Sequence, residues 1–382
     1  MNKTLPSEGA GPSQPRVRVG SPSEILAVVP HLMGFHPANS FVVIGAGRSS
    51  PRIDMTFRYD LPDPPDKAHA ADIAEHAVAV LARRKLRTVI GIGYGPGRLV
   101  TPVADEFAAT LRKHRLHLRD LLRVEDGRYW SYVCDEPRCC PPEGVAFDAE
   151  THPVAAAMTQ AGRPAYPDRA ALASTLAPVI GRGAVAMEQA TQRAEERVGA
   201  MLASAMEKGR HRAMRQLAEA GRRAVGEAIS IYRKGGSITE DDRVAWLSVM
   251  LAQLEVRDDA WSRMDPLYCA AHLRLWTDVV RRARPHFLPA PACLLAFTCW
   301  QSGDGALANV AIERALTANP DYSMGLLLRD VMDAGVPPSA AALPMTPEEV
   351  KASYERDEAD PEELGRPSAI PRRRSTRKRP SR

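Results

Sequence analysis

The hydrophobic period changes once along this chain, and that change limits what it can fold into. Up to Cys140, short β-branched and aromatic runs alternate with helical patterns. Beyond the turn Pro141-Pro142-Glu143-Gly144, every segment repeats its apolar residues at three-and-four spacing. A chain patterned this way predicts an N-terminal α/β domain with a mixed sheet, followed by an all-α, partly tetratricopeptide-like helical domain.

In the front half, Ser21 or Ser23 can cap a short helix carrying Ile25, Leu26, Val29, Leu32 and Met33, which Gly34 ends. Ser40 to Gly45 reads as a strand, and the alternation of Ile53, Met55, Phe57 and Tyr59 predicts its hairpin partner. After the breaker at residues 62–66 comes a helix of about 18 residues, by its 3.6-residue period. A third strand follows at Thr88 to Ile92, then a helix from about Pro102 to His114. A hairpin over Leu118–Val124 and Tyr129–Val133 turns at Asp126–Gly127. Strands interleaved with helices predict parallel and antiparallel pairs in one sheet, covered on at least one face.

In the back half, Ala184 to Tyr232 is a long amphipathic stretch with interruptions expected at Gly209 and Gly221, and a capped helix starts near Thr239. Residues 267–284, 292–302 and 305–318 continue as helices. Gly303, Ala308, Ile312, Ala315 and Pro320 fall at the small, apolar and terminating positions of one degenerate tetratricopeptide unit. The expected organisation is a disordered arm at 1–19, the α/β domain at 20–150, a helical connector at 151–183, the helical domain at 184–335, and an acidic then basic tail at 336–382 that buries no core.

Charge has to be located before it can be interpreted. The 382 residues carry a net charge of +5, but residues 371–382 hold seven Lys or Arg and no acid, so residues 1–370 sum to −2. The folded part is not a basic protein. With aromatics at 5% there is no stacking platform, and nucleic acid is expected as a partner only through the Arg-rich tail. The N-terminus has no apolar signal region, and Pro285, Pro289 and Pro291 break the one long uncharged run, so no membrane association is expected. Six cysteines, three of them clustered, suit a reducing cytoplasm better than a disulfide framework.

Three segments could carry chemistry. Cys134, Cys139 and Cys140 offer three soft sulfur ligands, and a zinc ion would need His152, His117 or Asp135 as a fourth; packing thiols or redox chemistry are the alternatives. Gly34, His36 and Ser40, between the first helix and the first strand, could present an imidazole and a hydroxyl to a ligand, or could simply end a helix and start a strand. Gly91, Gly93, Gly95 and Gly97 follow a strand and precede a helix, but the spacing matches neither phosphate-binding fingerprint. No HExxH, GxSxG or EF-hand pattern occurs. His114 and His117 sit near a helix end, where they suit the helix dipole.

Four segments resemble, in order and spacing, the signatures of a large actinobacterial family classed as a domain of unknown function: residues 21–45 (with GFHPxxSFVVIG), 130–144 (with CxxxxCCPPEG), 256–261 and 294–316. The likeness spans about residues 20–332. It implies a cytoplasmic protein and marks Gly34–Ser40 and Cys134–Gly144, and it implies no reaction. The residues therefore point to a soluble binding or interaction protein, with an α/β head for a small molecule and a helical platform for a protein or peptide. A thiol- or zinc-assisted hydrolase or transferase using His36, Ser40 and the cysteines is the alternative.

Overall fold

Ser21 starts the first helix by a reciprocal cap: its hydroxyl accepts from the Glu24 amide at 3.3 Å, while the Glu24 carboxylate accepts from the Ser21 amide at 3.0 Å. In the computed structural model, which describes residues 20–47, 53–206, 209–340 and 345–359, this helix is α1 (Pro22–Met33), and Gly34 ends it with φ 75°. The expected arm at 1–19 and the basic tail at 371–382 lie outside the described residues.

Strands β1 (Ser40–Ala46) and β2 (Ile53–Asp60) form the expected antiparallel hairpin. Helix α2 (Lys67–Arg83) leads to β3 (Thr88–Tyr94), and α3 (Gly97–Lys113) is the crossover that lets β4 (His117–Glu125) pair parallel with β3. Then come β5 (Arg128–Ser131) and β6 (Val145–Ala146), giving a six-stranded sheet in the order β2-β1-β3-β4-β5-β6. β6, beyond the Pro141–Gly144 turn, was not expected; two residues are too short for an alternation to register.

The sheet is covered on both faces. Phe41, Val43, Val89 and Leu121 pack with α2 and α3, whereas Val42, Ile44, Ile92 and Leu122 point to the opposite side and join the core of the helical body. The alternation within β1 thus serves two cores at once. Gly91 and Gly93 lie inside β3 rather than in a loop. A Cβ at Gly93 would stand 2.1 Å from a Val100 methyl carbon, and one at Gly91 2.6 Å from Leu121, so these glycines admit α3 to the sheet surface and cradle no phosphate.

The connector holds α4 (Pro153–Gln160) and α5 (Arg169–Ser174). The long amphipathic stretch divides at Gly209 into α6 (Arg182–Met206) and α7 (Arg210–Arg233). It does not break at Gly221, where a Cβ would meet Val256 at 2.5 Å: that glycine is a close approach between helices. Next are α8 (Asp241–Met250), α9 (Leu254–Ser262), α10 (Cys269–Arg282), α11 (Pro289–Gln301), α12 (Gly305–Ala318) and α13 (Ser323–Asp333). α11 begins at Pro289, earlier than expected, because a first turn needs no amide donors from its prolines; residues 289–300 are all buried. No described helix is long and apolar enough to cross a membrane.

One stretch expected to bury nothing does pack. Residues 347–359 form α14 (Pro347–Ala359), where Val350 is 5% exposed and the Tyr354 hydroxyl donates to Asp258 at 2.6 Å. The acidic composition concealed a single apolar stripe.

Candidate functional site

A cleft of about 970 Å³ opens where the outer edge of the sheet faces the helical body. Residues 53–59 of β2 all line it. Successive strand residues point to opposite faces, so a wall built from both sets is the strand's edge, not one of its faces. Among the described residues, no backbone group outside β1 pairs with β2. The other walls are Phe35 after α1; His76 and Val80 of α2 and Arg84 just beyond it; Ala306, Asn309 and Glu313 of α12; Arg329 and Met332 of α13; and Gly335–Pro338.

The lining is apolar with a positive excess: Arg58, Arg84, Arg163, Arg169 and Arg329 stand against Asp54, Glu313 and Asp333. Arg58 is held in place. Its guanidinium donates to Ser40 Oγ at 2.5 Å and to Asp60 at 2.7 Å, and lies 5.7 Å from the centre of the Phe35 ring. Arg169 pairs with Glu313 across the gap between α5 and α12. On the α2 side, the Tyr59 hydroxyl and His76 Nδ1 are 2.7 Å apart. Burial, then the charge of Asp333, pushes the Tyr59 phenol up, and burial also raises the Asp333 carboxyl.

Gly34, His36 and Ser40 sit beside this cleft without forming its lining. Tyr166 donates to Gly34 O at 2.8 Å and accepts from the His36 amide at 3.0 Å, a backbone clasp that sets Phe35 in the cleft wall. Burial lowers the His36 pKa, and the nearby Glu150 opposes that shift. Ser40 is fully buried; its hydroxyl donates to Ala38 O at 2.6 Å and accepts from Arg58. The segment therefore positions Phe35 and Arg58. Sequence reasoning missed the arginines, because they come from separate elements and share no spacing; the one local trace is the polar series Asp54, Thr56, Arg58 alternating along β2.

The three thiols do meet. Sγ of Cys134 is 3.2 Å from that of Cys139, which is 3.7 Å from that of Cys140, and all lie within 4.8 Å of one another. Hydrogen bonding from Cys139 lowers the Cys134 pKa, while burial and then the neighbouring thiols push Cys140 up to about 12. Among the described residues no His or carboxylate joins them at ligand distance. His152 instead caps α4, accepting from the Val154 amide at 3.2 Å, and His117 opens β4.

Nor do the cysteines converge with Ser40. Ser40 pairs with Tyr94, Tyr94 with Val124, and Val124 with Tyr129, the residue whose phenol senses Cys139 and Cys140. Three strand spacings separate those ends, roughly 14 Å.

A family model described as a domain of unknown function (DUF4192) matches residues 22–339. No curated protein and no solved structure matches the chain.

Proposed function

The chain belongs to the family of domain of unknown function DUF4192, a premise that supplies kinship and no activity, and from the geometry alone we propose that it is a binding protein whose cleft takes an extended, acid-bearing peptide segment along β2. The observation that carries this reading is the unpaired edge of β2, bordering the cleft through residues 53–59. A strand edge offers alternating donors and acceptors that an extended chain can complete, and the pockets beside it select side chains. The surplus arginines supply charge-assisted bonds to carboxylates, roughly twice as strong as neutral ones.

The repeat-like reading of the last helix pair belongs to the same proposal. Ala308, Ile312 and Ala315 of α12 are buried, while Asn309 and Glu313 of that helix face the cleft. The thiol-assisted hydrolase gains no support: the Ser40 hydroxyl is occupied by Arg58 and Ala38, and His36 is outside the cleft lining.

The test is a titration of the full chain with fluorescent ten-residue peptides of alternating Glu and Val. Saturable binding is expected, weakened at least tenfold by the paired substitutions Arg84→Ala and Arg329→Ala, weakened by salt, and abolished by N-methylation of alternate peptide bonds. Binding indifferent to N-methylation would sink the strand-pairing idea, and an unlabelled Lys/Val peptide competing equally well would sink the charge preference.

A further inference from the structure

The loop from Ser131 to Gly144 is fixed at both ends before any ligand is considered. At its start, the Tyr132 amide donates to Leu121 O at 2.8 Å, tying it to β4. At its end, Trp130 Nε1 donates to Pro142 O at 3.0 Å, and Arg128 donates to Gly144 O at 2.9 Å. Gly144 adopts φ 79°, and a Cβ there would fall 2.5 Å from the Trp130 indole, so only glycine lets the chain lie flat on that ring. The Arg123 guanidinium stacks over Trp130, 3.9 Å from the ring centre.

Between these anchors the chain doubles back. The Glu136 carbonyl accepts from the amides of Cys139 at 3.1 Å and Cys140 at 2.8 Å, which returns both residues over Cys134. That tight turn brings the adjacent Cys139 and Cys140 to a common point with Cys134. Zinc–thiolate bonds of about 2.3 Å at a tetrahedral angle place sulfurs about 3.8 Å apart. The observed separations of 3.2 and 3.7 Å lie within about 0.6 Å of that spacing, and all three sulfurs fall within 4.8 Å of one another. Cys139 is exposed and its two partners are half-buried, so an ion has a way in.

We propose that Cys134, Cys139 and Cys140 hold one zinc ion as a three-thiolate site whose fourth position is open to solvent. An all-sulfur donor set selects thiophilic ions, and zinc tolerates three protein ligands with water or an incoming donor as the fourth. The open position makes this a site for an exchangeable ligand: water in the free protein, or a sulfur, nitrogen or carboxylate donor of whatever docks there. The site is independent of the β2 cleft, because the sheet separates the two. The remaining cysteines provide an internal control: Cys293 and Cys299 are buried in the helical body, closed to an ion from solvent, and lie outside the Ser131–Gly144 loop.

The experiment loads the full chain, purified with reductant and without oxygen, with zinc chloride, removes loose metal by gel filtration, and measures zinc by elemental analysis. One zinc per chain is expected in the wild type and in the Cys269→Ser variant, and none in the triple variant Cys134→Ser, Cys139→Ser, Cys140→Ser. Replacing zinc by cobalt(II) should give sulfur-to-cobalt charge-transfer absorption and strong tetrahedral ligand-field bands. Cys139→Ser alone, an exposed change that disturbs no core, should weaken zinc at least tenfold in competition with a chromophoric chelator, which keeps the test decisive if the triple variant misfolds. Zinc retained by the triple variant with unchanged circular dichroism would overturn the site. So would stable binding of copper(I) but not zinc.

Discussion

Gly93 has no side chain, and α3 packs on β3 because of it. Since a Cβ there would stand 2.1 Å from a Val100 methyl carbon, Gly93→Ala should cost about 1–3 kcal/mol, read as a lower urea midpoint. Gly199→Ala, on the open surface of α6 with nothing within 4 Å, should instead raise stability by about 0.5–1 kcal/mol through helix propensity. His272 is the second informative residue. It is 2% exposed, neither ring nitrogen has a hydrogen-bond partner, and burial lowers its pKa to about 4, with Arg233 adding to the lowering and Asp265 opposing it. The unfolded chain, with an ordinary histidine pKa near 6.5, then binds a proton that the folded chain refuses. Stability contributed at this position is therefore full above about pH 6.5 and declines as pH falls toward about 4. His272→Leu should flatten that part of the urea midpoint against pH curve; an unchanged slope would place the acid sensitivity elsewhere. The site was least legible at this scale. Cysteines at 134, 139 and 140 announce themselves by type and proximity, whereas Arg58, Arg84, Arg163, Arg169 and Arg329 look like any surface arginines until five elements converge.

Among the elements, β2 differs from every interior strand in having one unpaired edge inside a cleft. Hydrogen exchange should therefore distinguish the strands: alternate amides of β2 are expected to exchange far faster than those of β3, which is paired on both sides, and to slow when an acidic peptide binds. Protection of β2 equal to that of β3 in the free protein would mean that its edge is not available. The hairpin of β1 and β2 was readable because alternation along Ile53, Met55, Phe57 and Tyr59 is a strong two-residue period. Its position at the end of the sheet was not, because alternation reports faces and says nothing about neighbours. α14 makes the converse case, since the cost of an acidic, proline-flanked segment is met by one face packed on α9, and Tyr354→Phe should cost about 1 kcal/mol through the lost bond to Asp258.

In the whole molecule, one hydrophobic cluster runs from Val42, Ile44, Ile92 and Leu122 of the sheet through Leu172 and Met187 to Leu294 and Leu328 of the helical body. The front half therefore lends one face of its sheet to the back half. Residues 20–150 expressed alone should expose that face and fail to give a dispersed, native-like spectrum, and the full chain should unfold in a single calorimetric transition; a soluble, cooperatively folding 20–150 fragment would show that the shared core is dispensable. Residue order by itself determined the period of each longer segment, and with it strands β1 to β5 of the front half, the helical character of the back half up to α13, the turns at Gly34 and Gly209, and the local gathering of three thiols, because these depend on neighbours within a few positions. Only the tertiary structure decided that the sheet has two covered faces, that Gly91 and Gly93 serve packing, that Ser40 holds an arginine, and that a free strand edge meets five guanidinium groups. Each of those joins residues far apart in the chain, and their partners are selected by how whole surfaces fit once the helices have closed on the sheet.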